Sequence, residues 1–371
     1  SYNKNGEEEL KKYKKGDNLK VKVLEIKKDQ QKIRVGLKQT EEDPFEWFKN
    51  KKVLITGGLG FIGSNLARHL VKVGAKVTIA DSLIPEYGGN LFNLKDLKDE
   101  IEIKITDVRD SISMDQLIPH QDFLFNLAGQ TSHLDSMENP FTDLDINAKA
   151  QLSILEACRK HNPEIRIVFA STRQIYGKPQ YLPVDEKHPW HPVDVNGVNK
   201  MAGEWYHIVY NDVYGIPASV LRLTNTYGPR MRIKDARQTF LGIWIRNLLE
   251  GKPIQVFGDG LQRRDYNYVD DVVNALLLAA TLPEAEGKIY NLGAPDPLSL
   301  EETAKLMCNL NEGSSYEKIP FPEDRKAIDV GDFVCDYQAF QSTFDWNPKV
   351  KFEEGISKSI DYFRENLDYY I

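Results

Sequence analysis

From Lys51 onward, short apolar runs alternate with longer amphipathic stretches. Residues 52–56, 76–80, 101–105, 123–127, 166–170 and 218–222 are compact runs rich in Val, Ile, Leu and Phe, which predicts a buried strand for each. Helical spacing fills the intervals at 61–73 and 147–161; in the second, Ala148, Leu152, Leu155 and Ala157 recur on one face. Strands alternating with helices predict an α/β fold, a doubly wound parallel Rossmann sheet with right-handed crossovers. Beyond Asn225 the order loosens into helices predicted over 238–250, 269–280, 300–310 and 352–366. The expected division is a dinucleotide-binding domain over 51–225, with some later segments returning to it, and a smaller substrate-binding lobe over 226–371.

Residues 1–50 have a different character, dense in lysine and acid, with strand-like runs at 19–26 and 32–37 around the polar turn 27–31. The stretch 16–45, GDNLKVKVLEIKKDQQKIRVGLKQTEEDPF, resembles the second half of the RNA-binding barrel repeat of a bacterial small-subunit ribosomal protein. A five-stranded barrel cannot close from its last strands alone, because edges and apolar faces stay open. This short β segment is therefore expected to be a partial repeat or fusion remnant rather than a working RNA-binding module.

Composition narrows the classes further. The 371 residues are 41% hydrophobic and 28% charged, ordinary for a soluble globular protein, and the formal charge of −7 disfavours a nucleic-acid partner. No apolar run reaches the ~18 residues of a membrane helix. Cys158, Cys308 and Cys335 are scattered without metal-ligand spacing, which predicts reduced structural thiols, no metal and a cytoplasmic protein.

The first predicted strand runs into Gly57-Gly58-Leu59-Gly60-Phe61-Ile62-Gly63, where a helix is expected to begin. Gly57 permits a tight turn, Gly60 lets the amides of the helix start approach a pyrophosphate, and Gly63 lets the helix pack closely on the sheet. The second strand ends at Asp81, whose carboxylate can accept both adenosine ribose hydroxyls and would repel a 2′-phosphate. NAD is favoured over NADP.

Further motifs follow in order: Asp107-Val108, Asn126-Leu127-Ala128-Gly129, Asn147, Ser171-Thr172, Lys200, Asn225-Thr226-Tyr227-Gly228-Pro229 and the run GDGLQRRDYNYVDD at 258–271. Together with the glycine turn, they make residues from Lys51 to about Asn366 resemble an extended short-chain dehydrogenase/reductase, of the NAD-dependent nucleotide-sugar epimerase/dehydratase kind (UDP-glucose 4-epimerase-like). The resemblance implies cofactor contacts from Gly57, Gly60, Phe61, Ile62, Gly63, Asp81, Asp107, Val108, Ala128 and Lys200. It implies that Thr172 bonds the hydroxyl being oxidised, and that Lys200 holds the nicotinamide ribose. Gln130, Arg173, Gln174, Asn225 and Arg264 would contact the nucleotide-sugar substrate, the last two at its diphosphate. It also implies a homodimer built from the helices following Asn147 and Asn196.

The family's catalytic tyrosine should stand four residues before the lysine, and Asn196 occupies that place. A phenol starts near pKa ~10 and can be tuned toward neutrality, whereas an amide orients a hydroxyl but cannot take its proton. Three explanations stay open: a water chain or another side chain as base (Asp194, His188, His191 or Lys200), a protein that binds both ligands with little or no turnover, or an altered position. Arg173-Gln174 stands where the dehydratases of the family carry an Asp-Glu pair, so dehydration is disfavoured. The expected reaction is epimerisation through a transient keto sugar, most commonly at C4. Arg173 could instead attract a carboxylate, which keeps nucleotide-hexuronic acid epimerisation or decarboxylation open. Arg230, Arg232 and Arg263 are expected to add positive charge near the nucleotide, Phe240 is read as near the base or in the core, and the tryptophans as packing residues.

Overall fold

The computed structural model of the chain describes residues 14, 22–27, 32–36, 45–237 and 239–371. Seven parallel strands form the central sheet in the order Ile289–Leu292, Ala218–Leu223, Arg166–Thr172, Phe123–Asn126, Lys52–Thr56, Lys76–Asp81 and Glu102–Ile105. In Lys52–Thr56 every residue after the first is buried, the pattern of a strand covered on both faces. One face is packed by the helices Phe61–Lys72 and Val269–Thr281, the other by Ser111–Leu117 and Ala150–His161. The six predicted strands are present; the seventh, Ile289–Leu292, which the sequence reading did not name, joins the sheet from the late part of the chain.

The helix 147–161 of the sequence reading begins as a π-helical turn, Asp145–Lys149, and continues as Ala150–His161. Val195–Tyr214 is a longer helix, started by the Asp194 side chain accepting the Gly197 N–H and stopped by Gly215 at φ 69°. The small lobe has its own core of Trp244, Ile245, Met307, Ile360 and Phe363, supplied by the helices Phe240–Leu249, Leu300–Asn309 and Phe352–Asn366.

Lys22–Lys27 and Lys32–Gly36 pair antiparallel, in agreement with the two strand-like runs; most of the rest of the barrel-like stretch lies outside the described residues. The boundary at residue 50 needs moving. Phe45 and Phe48 belong to the main core, and the Phe48 ring lies 4.9 Å from that of Phe123, so the α/β unit begins by Phe45. Lysine-rich surroundings hid this, because two aromatics three residues apart are too few to show a period. Among the tryptophans, Trp244 and Trp346 are buried; Trp47, Trp190 and Trp205 are partly exposed but still pack, Trp47 on Phe123 at 5.1 Å and Trp190 on Trp205 at 5.5 Å. Phe48→Ala is expected to cost about 3–5 kcal/mol, the usual penalty for emptying a buried phenylalanine site, read as a lower urea midpoint with an unchanged slope.

Candidate functional site

Six of these strands, all but Ile289–Leu292, end along a cleft of about 280 Å³ at the carboxyl edge of the sheet. It lies where the strand order reverses, on either side of Lys52–Thr56, the usual ligand position in such sheets. Gly57, Gly60, Phe61, Ile62, Gly63, Asp81, Asp107, Val108 and Ala128 line one end; Thr172, Arg173, Gln174, Asn196, Lys200 and Asn225 line the other.

The glycine turn is built as its spacing implies. Gly57 has φ +69°, and a Cβ there would stand 2.9 Å from Ala128 Cα. A Cβ on Gly63 would collide with the Gly57 carbonyl oxygen. No side chain caps the helix start at Gly60, so the first-turn amides keep the cradle that suits a pyrophosphate. Asp81 accepts the N–H groups of Leu59 and Leu83, each at 2.9 Å, which pins the glycine turn to the next loop. Burial pushes its carboxyl up, opposed by those two bonds. Asp107 is held low by a two-pronged Arg109, at 3.0 and 2.7 Å. These residues fit NAD, with carboxylate at the adenosine end and bare amides at the phosphates.

At the other end Lys200 is buried and donates to the Ala170 carbonyl at 3.2 Å. Burial draws it down to about 8, with the charge of Asp143 opposing. Thr172 accepts the Gln174 N–H at 3.2 Å. The Arg173 guanidinium lies 4.8 Å from the Phe333 ring centre, and its buried Nη1 has no hydrogen-bond partner. Burial, then the nearby Arg264, draws Arg173 down to about 10. Asn225 donates to the Asp265 carbonyl at 3.0 Å.

Asn196 is nearly fully buried, and its amide nitrogen is committed. Nδ2 donates to the Gln130 carbonyl at 2.8 Å and to Asp143 Oδ2 at 3.0 Å. Asp143 is completely buried, and its other oxygen accepts Asn199 Nδ2 at 2.8 Å. Asn196 is thus one of two amide donors that solvate a buried carboxylate.

Two of the expected substrate contacts lie off the cleft. Gln130 is buried behind it: its carbonyl accepts Asn147 and Asn196, and its own amide donates to the Ser132 carbonyl at 2.8 Å. Arg264 is turned into the 329–331 loop, bonded to the carbonyls of Arg263 and Gly331 and facing Asp329 at 3.7 Å. Its burial, with those carbonyls as acceptors, holds the fork there. Arg230 and Arg232 do not line the cleft either; Arg230 bonds Asn65 and Arg232 bonds Asp235. Of the suggested bases, His188 is buried with both ring nitrogens engaged by Gln180 N–H and Pro189 O, and His191 does not line the cleft. Asp194 accepts from Gly197 N at 2.7 Å and from Gln174 Nε2 at 3.0 Å. Phe240 packs on Trp244 and Tyr266 in the small core.

Sequence reasoning missed His133, which lines the cleft with its Nδ1 2.9 Å from Asp194 Oδ2. It also missed Glu204, fully buried against Arg222 and accepting the Ser171 hydroxyl at 2.7 Å. His133 stands only three residues beyond Gln130 and opens the short helix His133–Glu138 that follows a sheet strand and its loop, which was the available signal.

Residues 53–293 match the model of the NAD dependent epimerase/dehydratase family. The chain is 33% identical over 320 residues to a Methanocaldococcus jannaschii protein provisionally named UDP-glucose 4-epimerase, covering 85% of this chain and 99% of that one. It is 32% identical over 329 residues to a UDP-N-acetyl-alpha-D-glucosaminuronate decarboxylase of Bacillus cytotoxicus, covering 85% and 98%. The solved structure of an epimerase from Methanothermobacter thermautotrophicus superposes with a TM-score of 0.82 at 26% identity, over 87% of this chain and 95% of that one. Matched along most of its length by sequence and by fold, the chain belongs to the NAD-dependent epimerase/dehydratase family.

Proposed function

We propose that the protein epimerises a nucleoside-diphosphate sugar at C4 through a transient keto sugar. The observation that carries this reading is one continuous cleft joining the glycine turn and Asp81 to Thr172, Lys200 and Asn225. Arg173 and Gln174 follow Thr172, and neither supplies the acid or base that sugar dehydration needs. NAD, when bound, supplies a reversible hydride acceptor. The chain's own residues bind and orient: Asp81 meets the adenosine ribose, the amides after Gly60 meet the pyrophosphate, and Lys200 holds the nicotinamide ribose. Thr172 Oγ1 orients the hydroxyl to be oxidised.

Arg173 favours a second reading, a sugar bearing a carboxylate. Its unpartnered, buried Nη1 is a donor in want of an anionic acceptor, and the decarboxylase relative is named for a uronic acid substrate. A homodimer fits as well. Val198, Trp205, Val209 and Val213 are exposed along Val195–Tyr214, and Phe141 and Leu144 are exposed on Pro140–Leu144, a short helix in contact with it.

The test is product analysis with UDP-, GDP-, CDP- and dTDP-sugars, neutral and uronic. Interconversion of two C4 epimers with no net reduction of NAD is expected; carbon dioxide released from a uronic sugar would replace this reading with the second. In that case Arg173→Met should weaken the uronic substrate by ~10–100-fold, the worth of one charge-assisted hydrogen bond. Asp81→Asn should weaken NAD more than NADP in calorimetry, because it removes the charge that repels a 2′-phosphate. Asn196→Tyr is expected to gain no turnover and to lose about 1–3 kcal/mol in urea unfolding, since it removes a donor from the buried Asp143.

A further inference from the structure

The proposed reaction needs a group to take the sugar hydroxyl's proton, and Asn196 cannot. The cleft's ionisable side chains can be taken in turn. Asp194, buried behind the cleft rather than lining it, already accepts from Gly197 and Gln174 and faces His133; burial pushes its carboxyl up, but those contacts outweigh this and hold it low. Lys200 as an ammonium has no lone pair to take a proton; one of its three hydrogens goes to the Ala170 carbonyl, and the others serve the nicotinamide ribose of the proposed reading. Asp81 is tied to two backbone amides and Asp107 to Arg109, both at the adenosine end. Tyr87 lies on the loop after Asp81, and burial, then the charge of Asp135, raises its phenol and makes it a poorer base.

His133 differs from all of these. Its Nδ1 lies 2.9 Å from Asp194 Oδ2, within ion-pair distance but outside hydrogen-bonding geometry, so this buried nitrogen has no hydrogen-bond partner. Contacts of this kind often tighten only when substrate arrives. Nε2 is then the ring nitrogen left over, on a side chain that is 36% exposed and lines the cleft with Thr172, Asn196 and Lys200. The placement is braced. Ser136 Oγ donates to the His133 carbonyl at 2.7 Å and accepts the Asn196 N–H at 3.2 Å, stitching the imidazole's backbone to the residue that replaces the tyrosine. Asp194 begins the helix that carries Asn196 and Lys200, so one carboxylate sets both the helix and the ring.

We infer that His133, oriented by Asp194, is the acid–base residue of the sugar site, in the role the tyrosine holds elsewhere in the family. This rests on the epimerase reading. As the sugar's C–H hydride departs to the cofactor, its O–H bond breaks and the proton passes to Nε2, leaving a keto sugar and an imidazolium paired with Asp194. On return of the hydride to the opposite face, Nε2 gives the proton back to the oxygen, and the ring is neutral again. Asp194 is a positioning residue: it selects the tautomer with hydrogen on Nδ1 and a bare Nε2.

Two measurements test this on the full chain. The first needs no turnover: nitrogen NMR of the ¹⁵N-histidine-labelled protein, assigned with His133→Gln, should show neutral His133 protonated at Nδ1. A ring protonated at Nε2 instead would overturn the inference. The second uses the sugar that the parent epimerises. His133→Gln should lower kcat by ~10²–10⁴-fold, the usual worth of general acid–base help, with KM and bound NAD unchanged. Free imidazole should restore part of the activity of His133→Ala, which a merely structural role would not allow. An active parent whose His133→Gln form keeps its kcat sinks the imidazole alone and leaves the epimerase reading standing. A parent inert toward every nucleotide sugar sinks the epimerase reading first, and the proton-transfer role falls with it.

Discussion

Thr56 pairs with Ala80 on one side and with Asn126 on the other, in parallel register, and this pairing sets where everything else in the site falls. Its hydroxyl donates to Asn126 Oδ1 at 2.8 Å and accepts the N–H groups of Leu127 and Ala128 at 3.1 and 3.2 Å. Parallel strands that end together put their following residues on one edge. Gly57, Asp81 and Ala128 are therefore neighbours, although they are far apart in sequence. A shift of one residue would turn the buried Val, Leu and Ile of Lys52–Thr56 to the wrong faces and carry the glycine turn away from Ala128. The short approach between Gly57 and Ala128 is thus a consequence of sheet register before it is a feature of ligand binding.

The other half of the site is organised by buried carboxylates. Asp143, Asp194 and Glu204 all lie inside the protein, where an unpartnered charge would be prohibitive. Each is met by a different set of donors. Asp143 takes two asparagine amides, Asp194 takes a helix-start N–H and a glutamine, with the His133 ring at ion-pair distance, and Glu204 takes Arg222 and Ser171. All three contact sets tie Val195–Tyr214 to other elements, through Asn196 and Asn199, through its Asp194 cap, and through Glu204 itself. The helix that carries Lys200 is consequently fixed at several points along its length, and Lys200 can remain buried within reach of the Ala170 carbonyl.

Most of the sheet was legible from apolar runs, because a parallel strand buried on both faces leaves an uninterrupted hydrophobic signature. Ile289–Leu292 was missed: four residues in a loop-rich region have no periodicity to distinguish them from core contacts. The cofactor end was legible because its requirements are local, a strand, a turn and a helix in succession. The sugar end was legible only in part. Thr172, Asn196 and Lys200 do share the cleft, but Arg264 is diverted to the Gly331 carbonyl, far away in sequence, and Gln130 to the carbonyl of the nearby Ser132. No motif in the sequence singles out His133, because its partner lies 61 residues further on and no spacing rule links the two.

Asn196 reads differently once its neighbours are known. Taken alone, it is a tyrosine lost from a catalytic set. In the folded protein its amide nitrogen binds the Gln130 carbonyl and Asp143 at once, and its backbone N–H binds Ser136. A phenol has one hydrogen to donate and could not satisfy both acceptors, so a tyrosine and this arrangement around Asp143 exclude each other. The replacement is part of a consistent polar network, in which the segment from Gln130 to Ser136 is drawn down onto the start of Val195–Tyr214. That same contact brings an imidazole to the cleft. What one position gave up in proton chemistry, the segment packed against it is placed to supply.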